Sequence, residues 1–100
     1  MIEYEVFFAP EARDDLRSLY DRIADAASPD TALAYINRIE AHCLGLKHIA
    51  ERGHRRDDIR PGLRILGFER RVSIAFTVAD QRATILRVFY GGQNWEEVLS

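Results

Sequence analysis

The residues best suited to binding or chemistry lie at positions 87–95, where the sequence reads Arg-Val-Phe-Tyr-Gly-Gly-Gln-Asn-Trp. Arginine, tyrosine and tryptophan are enriched among the side chains that anchor protein interfaces. The enzymatic chemistry left open is RNA cleavage by the ribose 2′-hydroxyl, which needs a base, an acid for the leaving oxygen and cations around the phosphate. The segment is therefore a candidate recognition or ribonuclease site.

Other reaction classes lack their sequence signatures. The chain has no G-x-S-x-G, C-x-x-C, H-E-x-x-H or G-x-x-x-x-G-K motif. His42 and His48 are six residues apart, whereas two metal ligands on one helical face stand about three or four apart, so no metal site is expected. The single cysteine, Cys43, falls on an apolar helical stripe and is predicted to be a buried, inert thiol.

Charge is distributed unevenly along the chain. Residues 1–51 carry ten acidic and five basic side chains, whereas residues 52–87 carry four acidic and nine basic ones. Thirteen of the fourteen cations are arginines, whose planar guanidinium suits carboxylates and phosphates and stacks on aromatic rings. The basic half favours an acidic partner, protein or nucleic acid, with solvated arginines on exposed strands as the alternative.

One domain, residues 1–100, is expected, because a chain of 100 residues surrounds a single core. Residues 1–8 are too short and too acidic for a signal peptide, and no apolar run approaches the roughly 18 residues of a membrane span. The prediction is a cytoplasmic protein that does not enter the membrane.

Two helices are predicted after a first strand. Residues 2–8 alternate between apolar and acidic side chains, as a half-buried strand does. Apolar residues then recur at helical spacing over residues 10–27 and 29–52, and the short link between them forces an antiparallel helical hairpin. Gly53 should end the second helix, and Gly45 inside it should mark a close approach to the first helix or to the sheet.

Three strands with short links are predicted at residues 63–68, 71–78 and 82–90, which makes an antiparallel meander. The order β-α-α-β-β-β defines an α+β fold with two layers, in which the helical hairpin packs on one face of a mainly antiparallel sheet. The other face should be open to solvent or covered by a partner.

Alternation along the strands assigns side chains to these faces. The apolar residues of the predicted strand 71–78 should face the helices: Val72, Ile74, Phe76 and Val78. In the last strand, the same alternation places an arginine and two large apolar side chains on one face: Ile85, Arg87 and Phe89. Such a mixed cationic and apolar face is typical of a binding surface.

The order of elements resembles that of the RelE/ParE superfamily of bacterial toxins. Two segments, PGLRILGFERR and ILRVFYGGQNWE, are similar to those of its ParE branch in particular. The resemblance covers essentially the whole chain. It implies a plasmid-stabilising toxin of a type II toxin–antitoxin system that holds DNA gyrase in its DNA-cleaved state and needs no cofactor. It also implies neutralisation by a ParD-like antitoxin with a ribbon-helix-helix domain, in a hetero-oligomer that binds DNA only through the antitoxin.

The ribonuclease branch of the superfamily offers the alternative function, a ribosome-dependent mRNA endonuclease. Aligning the last two strands places the functional positions of that branch at Arg64, Leu66, Ser73 and Gln93, of which only Arg64 keeps a cation. Its catalytic tyrosine would follow Gln93, where this chain has Asn94, Trp95 and Glu96; Tyr90 could substitute only with a different geometry. The resemblance therefore favours gyrase inhibition without catalytic residues, and a module that binds its antitoxin without being toxic is a third possibility.

Two sets of contact residues are predicted from this resemblance. The candidates for gyrase binding are Arg60, Arg64, Arg87, Tyr90 and Trp95. The candidates for antitoxin binding are Leu16, Tyr20, Tyr35, Phe68 and Phe89. Each of these side chains could instead serve packing or an internal ion pair. Because the tail from residue 95 lies beyond the last predicted strand, its removal is expected to weaken toxicity and to leave the fold intact.

Overall fold

A helical hairpin packed on a five-stranded sheet forms the architecture. The computed structural model describes residues 3–48 and 50–99. Its elements are β1 (Glu5–Phe8), α1 (Pro10–Ala26), α2 (Pro29–Leu44), a 3₁₀ turn (Gly45–Lys47), β2 (His54–Arg55), β3 (Leu63–Phe68), β4 (Val72–Ala79), β5 (Arg82–Tyr90) and α3 (Trp95–Leu99). The strand order is β1-β5-β4-β3-β2, with β1 parallel to β5 and every other pair antiparallel. The predicted α+β fold is confirmed.

The helical hairpin follows from local sequence signals. Both helices begin with proline at the first position, where the missing N–H has no helical partner to lose. Ser28 caps α2, since its hydroxyl oxygen accepts a hydrogen bond from the Thr31 backbone N–H at 3.1 Å. No helix in residues 3–48 and 50–99 combines the length and the apolar character that crossing a bilayer requires.

The second helix is shorter than the sequence predicts. It ends at Leu44 and tightens into the 3₁₀ turn, so the predicted helix over residues 29–52 is wrong beyond Lys47. The Lys47 carbonyl accepts a hydrogen bond from the Tyr4 N–H at 2.7 Å, which joins the chain to the segment before β1 instead of extending the helix. Gly45 marks no close approach, because a Cβ there would have no atom within 4 Å.

Gly53 has a different role from the predicted helix stop. Its φ is +79°, and an added Cβ would lie 2.4 Å from the Ile65 carbonyl oxygen of β3. Only glycine fits this approach, which brings the chain alongside β3 so that His54 pairs with Ile65. The two-residue strand β2 formed there is missing from the sequence prediction, because it is too short to show alternation.

The larger core lies between the helices and the sheet. Val72, Ile74 and Phe76 of β4 are buried in it and Val78 is packed against it, which confirms the predicted face of that strand. Side chains at alternate positions of the first strand reach the same core: Tyr4, Val6 and Phe8. Residue 2, which the sequence also assigns to this strand, lies outside the described residues.

The last strand departs from simple alternation at a β-bulge. Ala75 pairs with Arg87 while Phe76 pairs with Ile85, so Leu86 is an extra residue without a partner on β4. One extra residue reverses the alternation beyond it. Ile85 and Val88 consequently both face the helices, so the predicted grouping of Ile85, Arg87 and Phe89 on one face is wrong.

The second sheet face carries a smaller core instead of being open. Leu99 of α3 is buried at 4% exposure against side chains of β3, β4 and β5: Leu63, Ile65, Ala75 and Phe89. The sequence predicts a tail independent of the fold, and this prediction is wrong because the tail contributes a core residue.

Candidate functional site

Helix α3 and the connection between β2 and β3 form the first candidate surface. Trp95 is partly buried against the smaller core, and the Arg56 guanidinium lies over its ring, 5.3 Å from the centroid. Arg56 also donates hydrogen bonds to Glu96 at 3.0 Å and to both oxygens of Asp58. These contacts raise the pKa of the Arg56 guanidinium and lower the pKa of the Asp58 carboxyl. Arg56 therefore links α3 to the connection between β2 and β3.

The basic connection is largely neutralised by its own residues. Arg55 pairs with Asp57 at 3.1 Å, and Asp57 also accepts a hydrogen bond from the Gly62 N–H at 2.9 Å. The Gly62 N–H, followed by Arg55, lowers the pKa of the Asp57 carboxyl. Arg64 donates to the Arg52 carbonyl at 3.4 Å. Most arginines of the connection thus hold the loop in place and are only partly available to an acidic partner.

The predicted gyrase-binding residues do not form one patch. Arg60 and Arg87 line a cavity of about 200 Å³, and its other lining residues are Ala9, Glu11, Leu86, Val98 and Leu99. Arg60 additionally donates to the Leu99 carbonyl at 3.3 Å. Tyr90 packs against the larger core and does not line this cavity. The structure thus joins Arg60 and Arg87 and leaves Tyr90 elsewhere.

Arg87 is held by a carboxylate of the first helix. Its Nε and Nη2 atoms donate to Asp15 at 2.8 and 2.9 Å, and the backbone N–H of Val88 donates to the same carboxylate at 2.8 Å. The hydrogen bonds that Arg87 donates to Asp15 raise the pKa of the Arg87 guanidinium. Sequence reasoning missed Asp15, because a contact across 72 residues leaves no local signal. This three-bond contact is called the Asp15 clamp.

The predicted antitoxin-binding residues fall into two classes. Leu16 and Phe89 belong to the cores and are almost fully buried, so they present little surface to a partner in this conformation. The other three are partly buried at the edge of the larger core: Tyr20, Tyr35 and Phe68. Tyr35 lies 6.3 Å from the Phe68 ring and 6.2 Å from the Tyr90 ring, between centroids. A cluster of aromatic rings therefore connects two of these candidates with Tyr90.

This aromatic cluster borders a groove of about 480 Å³ between the helical hairpin and the end of the sheet. We call it the tyrosine groove; its lining is Ile23, Thr31, Ala34, Tyr35, Arg38, Glu69, Arg71 and Tyr90. The Arg22 guanidinium lies over the Tyr90 ring, 5.9 Å from its centroid. Burial is the main cause that raises the pKa of Tyr35. The groove therefore offers aromatic surface with cations at its rim.

An ion pair fixes one rim of the tyrosine groove. Arg38 of α2 donates two hydrogen bonds, each of 3.1 Å, to the carboxylate of Glu69, and this contact lowers the pKa of Glu69. Glu69 and Arg70 form the turn between β3 and β4 with φ of 49° and 63°, a conformation that favours glycine or asparagine. The side-chain contact of Glu69 thus supports a turn that its backbone alone disfavours.

Sequence analysis missed three charged residues of the groove, Arg38, Glu69 and Arg71, and also Arg22, which lies over the Tyr90 ring from a neighbouring cavity. Arg22 and Arg38 stand on the polar faces of their helices, where a charged residue usually serves solubility. Glu69 and Arg71 border a turn whose position was predicted. The sequence signal that could have predicted the groove is the charged turn at Glu69 and Arg70, which lies beside the aromatic strand ends Phe68 and Tyr90.

Comparison with known proteins agrees with this architecture. The family model for the ParE toxin of type II toxin–antitoxin systems matches residues 6–95. The chain belongs to the ParE toxin family. A structure of the chromosomal ParDE system from P. aeruginosa is similar, with 27% identity and a TM-score of 0.79 over 91% of this chain and 99% of that one. A comparison with curated protein sequences gives no match.

A second solved structure shares the fold. The RelBE2 toxin–antitoxin complex from Mycobacterium tuberculosis is similar in structure, with a TM-score of 0.63 and 20% identity over 89% of this chain and 99% of that one. ParE membership makes this protein the toxin of a type II toxin–antitoxin system.

In this ParE toxin, three of the positions that the sequence aligns with the ribonuclease branch have structural partners. Leu66 is packed in the larger core with 9% exposure. The side-chain oxygen of Gln93 accepts a hydrogen bond from the Tyr90 backbone N–H at 3.0 Å and closes the end of β5. Arg64, the one cation of the set, donates to the Arg52 carbonyl. These three side chains are engaged in the fold.

Proposed function

We propose that this ParE toxin acts in the cytoplasm by binding DNA gyrase and stabilising the complex in which DNA is cut but not resealed. The observation that carries the proposal is the ParE family match over residues 6–95. The structural use of Leu66, Arg64 and Gln93 supports a mechanism without catalytic residues, because general acid–base catalysis requires groups free to exchange protons with a substrate. On this proposal the protein itself breaks no bond.

The proposed contact with gyrase centres on α3 and the cavity beside it. Trp95 and Arg60 present aromatic and cationic groups on the same side of the sheet, and exposed Trp and Arg residues commonly contribute about 2 kcal/mol or more as interface anchors. Arg60 is exposed, although it donates one hydrogen bond to the Leu99 carbonyl, whereas Arg64 and Arg87 are partly buried and Arg87 is committed to Asp15. We therefore rank Trp95 and Arg60 above Arg64, Arg87 and Tyr90 as target contacts.

We further propose that a ParD-like antitoxin with a ribbon-helix-helix domain keeps the toxin inactive in a hetero-oligomer, and that the complex reaches DNA through the antitoxin. The comparison structure from P. aeruginosa is of a ParDE system, which supports a partner of this kind.

A DNA cleavage assay tests the mechanism. Purified gyrase, plasmid and ATP are incubated with the toxin, and protein is then denatured to reveal broken DNA. Linear plasmid should accumulate with the wild type and much less with Trp95→Ala, while topoisomerase IV assayed in parallel defines the target. Absence of toxin-dependent breaks with either enzyme would exclude the mechanism.

The alternative ribonuclease function is tested with translating ribosomes. On the proposed mechanism, mRNA in the ribosomal A site should stay intact when the purified toxin is added. Cleavage that Arg64→Ala abolishes would replace gyrase inhibition by endonuclease activity.

A further inference from the structure

Arg56 is held in place by its own connection, through both its backbone and its side chain. Its N–H donates to the Leu63 carbonyl at 2.8 Å, and its carbonyl accepts hydrogen bonds from the N–H groups of Ile59 and Arg60 at 3.0 and 3.3 Å. Its guanidinium Nε and Nη2 atoms donate to the two oxygens of Asp58 at 3.0 and 2.9 Å. A guanidinium with two bonds to one carboxylate has a fixed plane. Contacts outside α3 therefore already orient the Arg56 side chain.

Helix α3 is held at both of its ends. At the C-terminal end, Leu99 is buried in the smaller core. At the N-terminal end, Arg56 donates to the Glu96 carboxylate at 3.0 Å and lies over the Trp95 ring, 5.3 Å from its centroid. Five residues form little more than one helical turn, so the direction of α3 follows from such contacts and not from its own stability. The contacts of Arg56 hold the end that carries Trp95.

We propose that Arg56 is a positioning residue for gyrase binding, which holds the Trp95 ring in the orientation that the target meets. This inference rests on the proposed function, in which Trp95 is a principal target contact. The Arg56 side chain is only 28% exposed, and its Nε and Nη2 atoms are engaged by Asp58 and Glu96. Arg56 therefore acts through Trp95 and not as a target contact itself.

Pre-organisation is the physical reason for the effect. A side chain that is mobile in the free protein loses conformational freedom when an interface immobilises it, and this loss weakens binding. The Arg56 cation is attracted to the face of the Trp95 ring and restricts its movement. Because the ring is ordered before the target arrives, binding does not have to order it.

Arg55 provides a matched control for Arg56. It is the preceding residue, at the end of β2, and it also pairs with an aspartate, Asp57, at 3.1 Å. The Arg55 guanidinium makes this ion pair within its own segment, whereas the Arg56 guanidinium reaches α3. The same substitution at the two positions therefore separates the loss of a loop ion pair from the loss of the contact with Trp95.

The experiment combines the fluorescence of Trp95, the single tryptophan of the chain, with the gyrase cleavage assay. Arg56→Gln removes the guanidinium and keeps a polar side chain, and Arg55→Gln is its control. Glu96→Gln is a second, milder variant, because it removes only the carboxylate of α3 at an exposed position. Thermal melting establishes that each variant is folded.

Trp95 should become more mobile and more accessible in Arg56→Gln. Its fluorescence anisotropy should fall and its quenching by acrylamide should increase, with a smaller change of the same sign in Glu96→Gln and no change in Arg55→Gln. The toxin concentration that gives half-maximal DNA cleavage should rise about three- to tenfold in Arg56→Gln, the cost of ordering one large side chain, while the maximal cleavage stays the same.

A double variant shows whether Arg56 acts through Trp95. In Trp95→Ala there is no ring left to position, so adding Arg56→Gln should cause no further loss of cleavage. Additive losses would overturn the positioning role, because Arg56 would then contribute independently of Trp95. Equal anisotropy and quenching in the wild type and in folded Arg56→Gln and Glu96→Gln would overturn it as well.

Failure of the proposed function gives a different result. Absence of gyrase-dependent breaks with the wild type, or cleavage by Trp95→Ala at wild-type strength, would remove Trp95 as a target contact and with it the target for which the ring is positioned. The fluorescence of Arg56→Gln would then still decide whether Arg56 holds the Trp95 ring.

Discussion

Asp15 is tightly held, because its carboxylate joins the first helix to the residues of the last strand that follow the bulge. Its two oxygens accept three hydrogen bonds, from Arg87 and from the Val88 backbone. The Asp15 and Arg87 side chains are 16% and 29% exposed, so water replaces the lost contact poorly if one partner is removed.

Asp15→Asn tests the Asp15 clamp. The amide keeps the shape of the side chain but removes its charge and turns one acceptor into a donor, so we expect the free energy of unfolding to fall by about 2 kcal/mol. Asp14→Asn is the matched control, because Asp14 makes an exposed ion pair with Arg17 that contributes about 0.5 kcal/mol or less. Urea denaturation measures both, and equal midpoints for the two variants would contradict the role of the clamp.

His42 makes stability depend on pH. Its ring lies 4.9 Å from the Phe68 ring between centroids, its Nε2 atom has no hydrogen-bond partner among the residues described, and burial, followed by Arg52, lowers its pKa. The folded protein therefore resists protonation of His42 more than the unfolded chain does. Stability from the neutral ring is complete above the ordinary pKa of about 6.5 and is lost as pH falls through the lowered value.

The corresponding measurement is thermal melting between pH 7 and pH 5. The melting temperature of the wild type should fall over this range, and His42→Gln should reduce the fall by removing the titrating group. His48→Gln, a change at an exposed histidine, should behave as the wild type does. Parallel curves for wild type and His42→Gln would show that another group controls the pH dependence.

Whether a side chain is buried could be predicted from the sequence more readily than which residues it contacts. Cys43 is buried as its position on the helical stripe predicts, and burial raises the pKa of its thiol to about 12. The partners of Arg87 could not be predicted, because the bulge at Leu86 changes the direction of every later side chain on the strand. Periodicity in the sequence predicts which residues share a face of a regular strand. A bulge reverses this assignment for the residues that follow it.

At the scale of elements, α3 makes the C-terminal tail part of the folded structure. Local patterns predicted the helical hairpin and the three-stranded meander because each is long enough to show a period. The five-residue α3 and the two-residue β2 are too short for this, and tertiary contacts alone determine them. The exposed strand face expected from two helices is consequently closed by an element that has no signal of its own.

Leu99→Ala tests whether α3 belongs to the core. Leu99 is 4% exposed, so the truncation should cost about 2 kcal/mol and lower the melting temperature by several degrees. Val98→Ala removes a neighbouring apolar side chain that is 50% exposed and should change stability by less than about 0.5 kcal/mol. Equal melting temperatures for the wild type and Leu99→Ala would mean that the tail is not part of the folded unit.

At the scale of the whole molecule, the two cores place two candidate surfaces on opposite sides of one sheet. The tyrosine groove belongs to the side of the helices, and Trp95 belongs to the side of α3. Fold class and family could be predicted from the order of elements, since the order determines which layers can form. The separation of the two surfaces could not be predicted, because it depends on the packing of α3 on the second face of the sheet.

Trp95→Ala should separate toxicity from antitoxin binding. We expect expression of the variant to be tolerated by cells that the wild type arrests, while its affinity for the antitoxin stays within about twofold, since truncating one anchor affects chiefly its own interface. Growth curves and an antitoxin-binding assay provide the two readouts, with thermal melting as the check on folding. A variant that loses both properties while folded would place Trp95 in a shared surface.

The pairing of β1 has a consequence for how the toxin is made. In the described sheet β1 contacts no strand except β5, and Glu5 pairs with Arg82, which is synthesised 77 residues later. The sheet therefore cannot close while the ribosome is still adding the meander, and such distant pairing is slow to form. During that interval the nascent chain exposes the apolar side of β1 with no partner. A newly made toxin molecule therefore completes its sheet only after β5 has been synthesised, and the N-terminal strand is the last part of the sheet to find its neighbour.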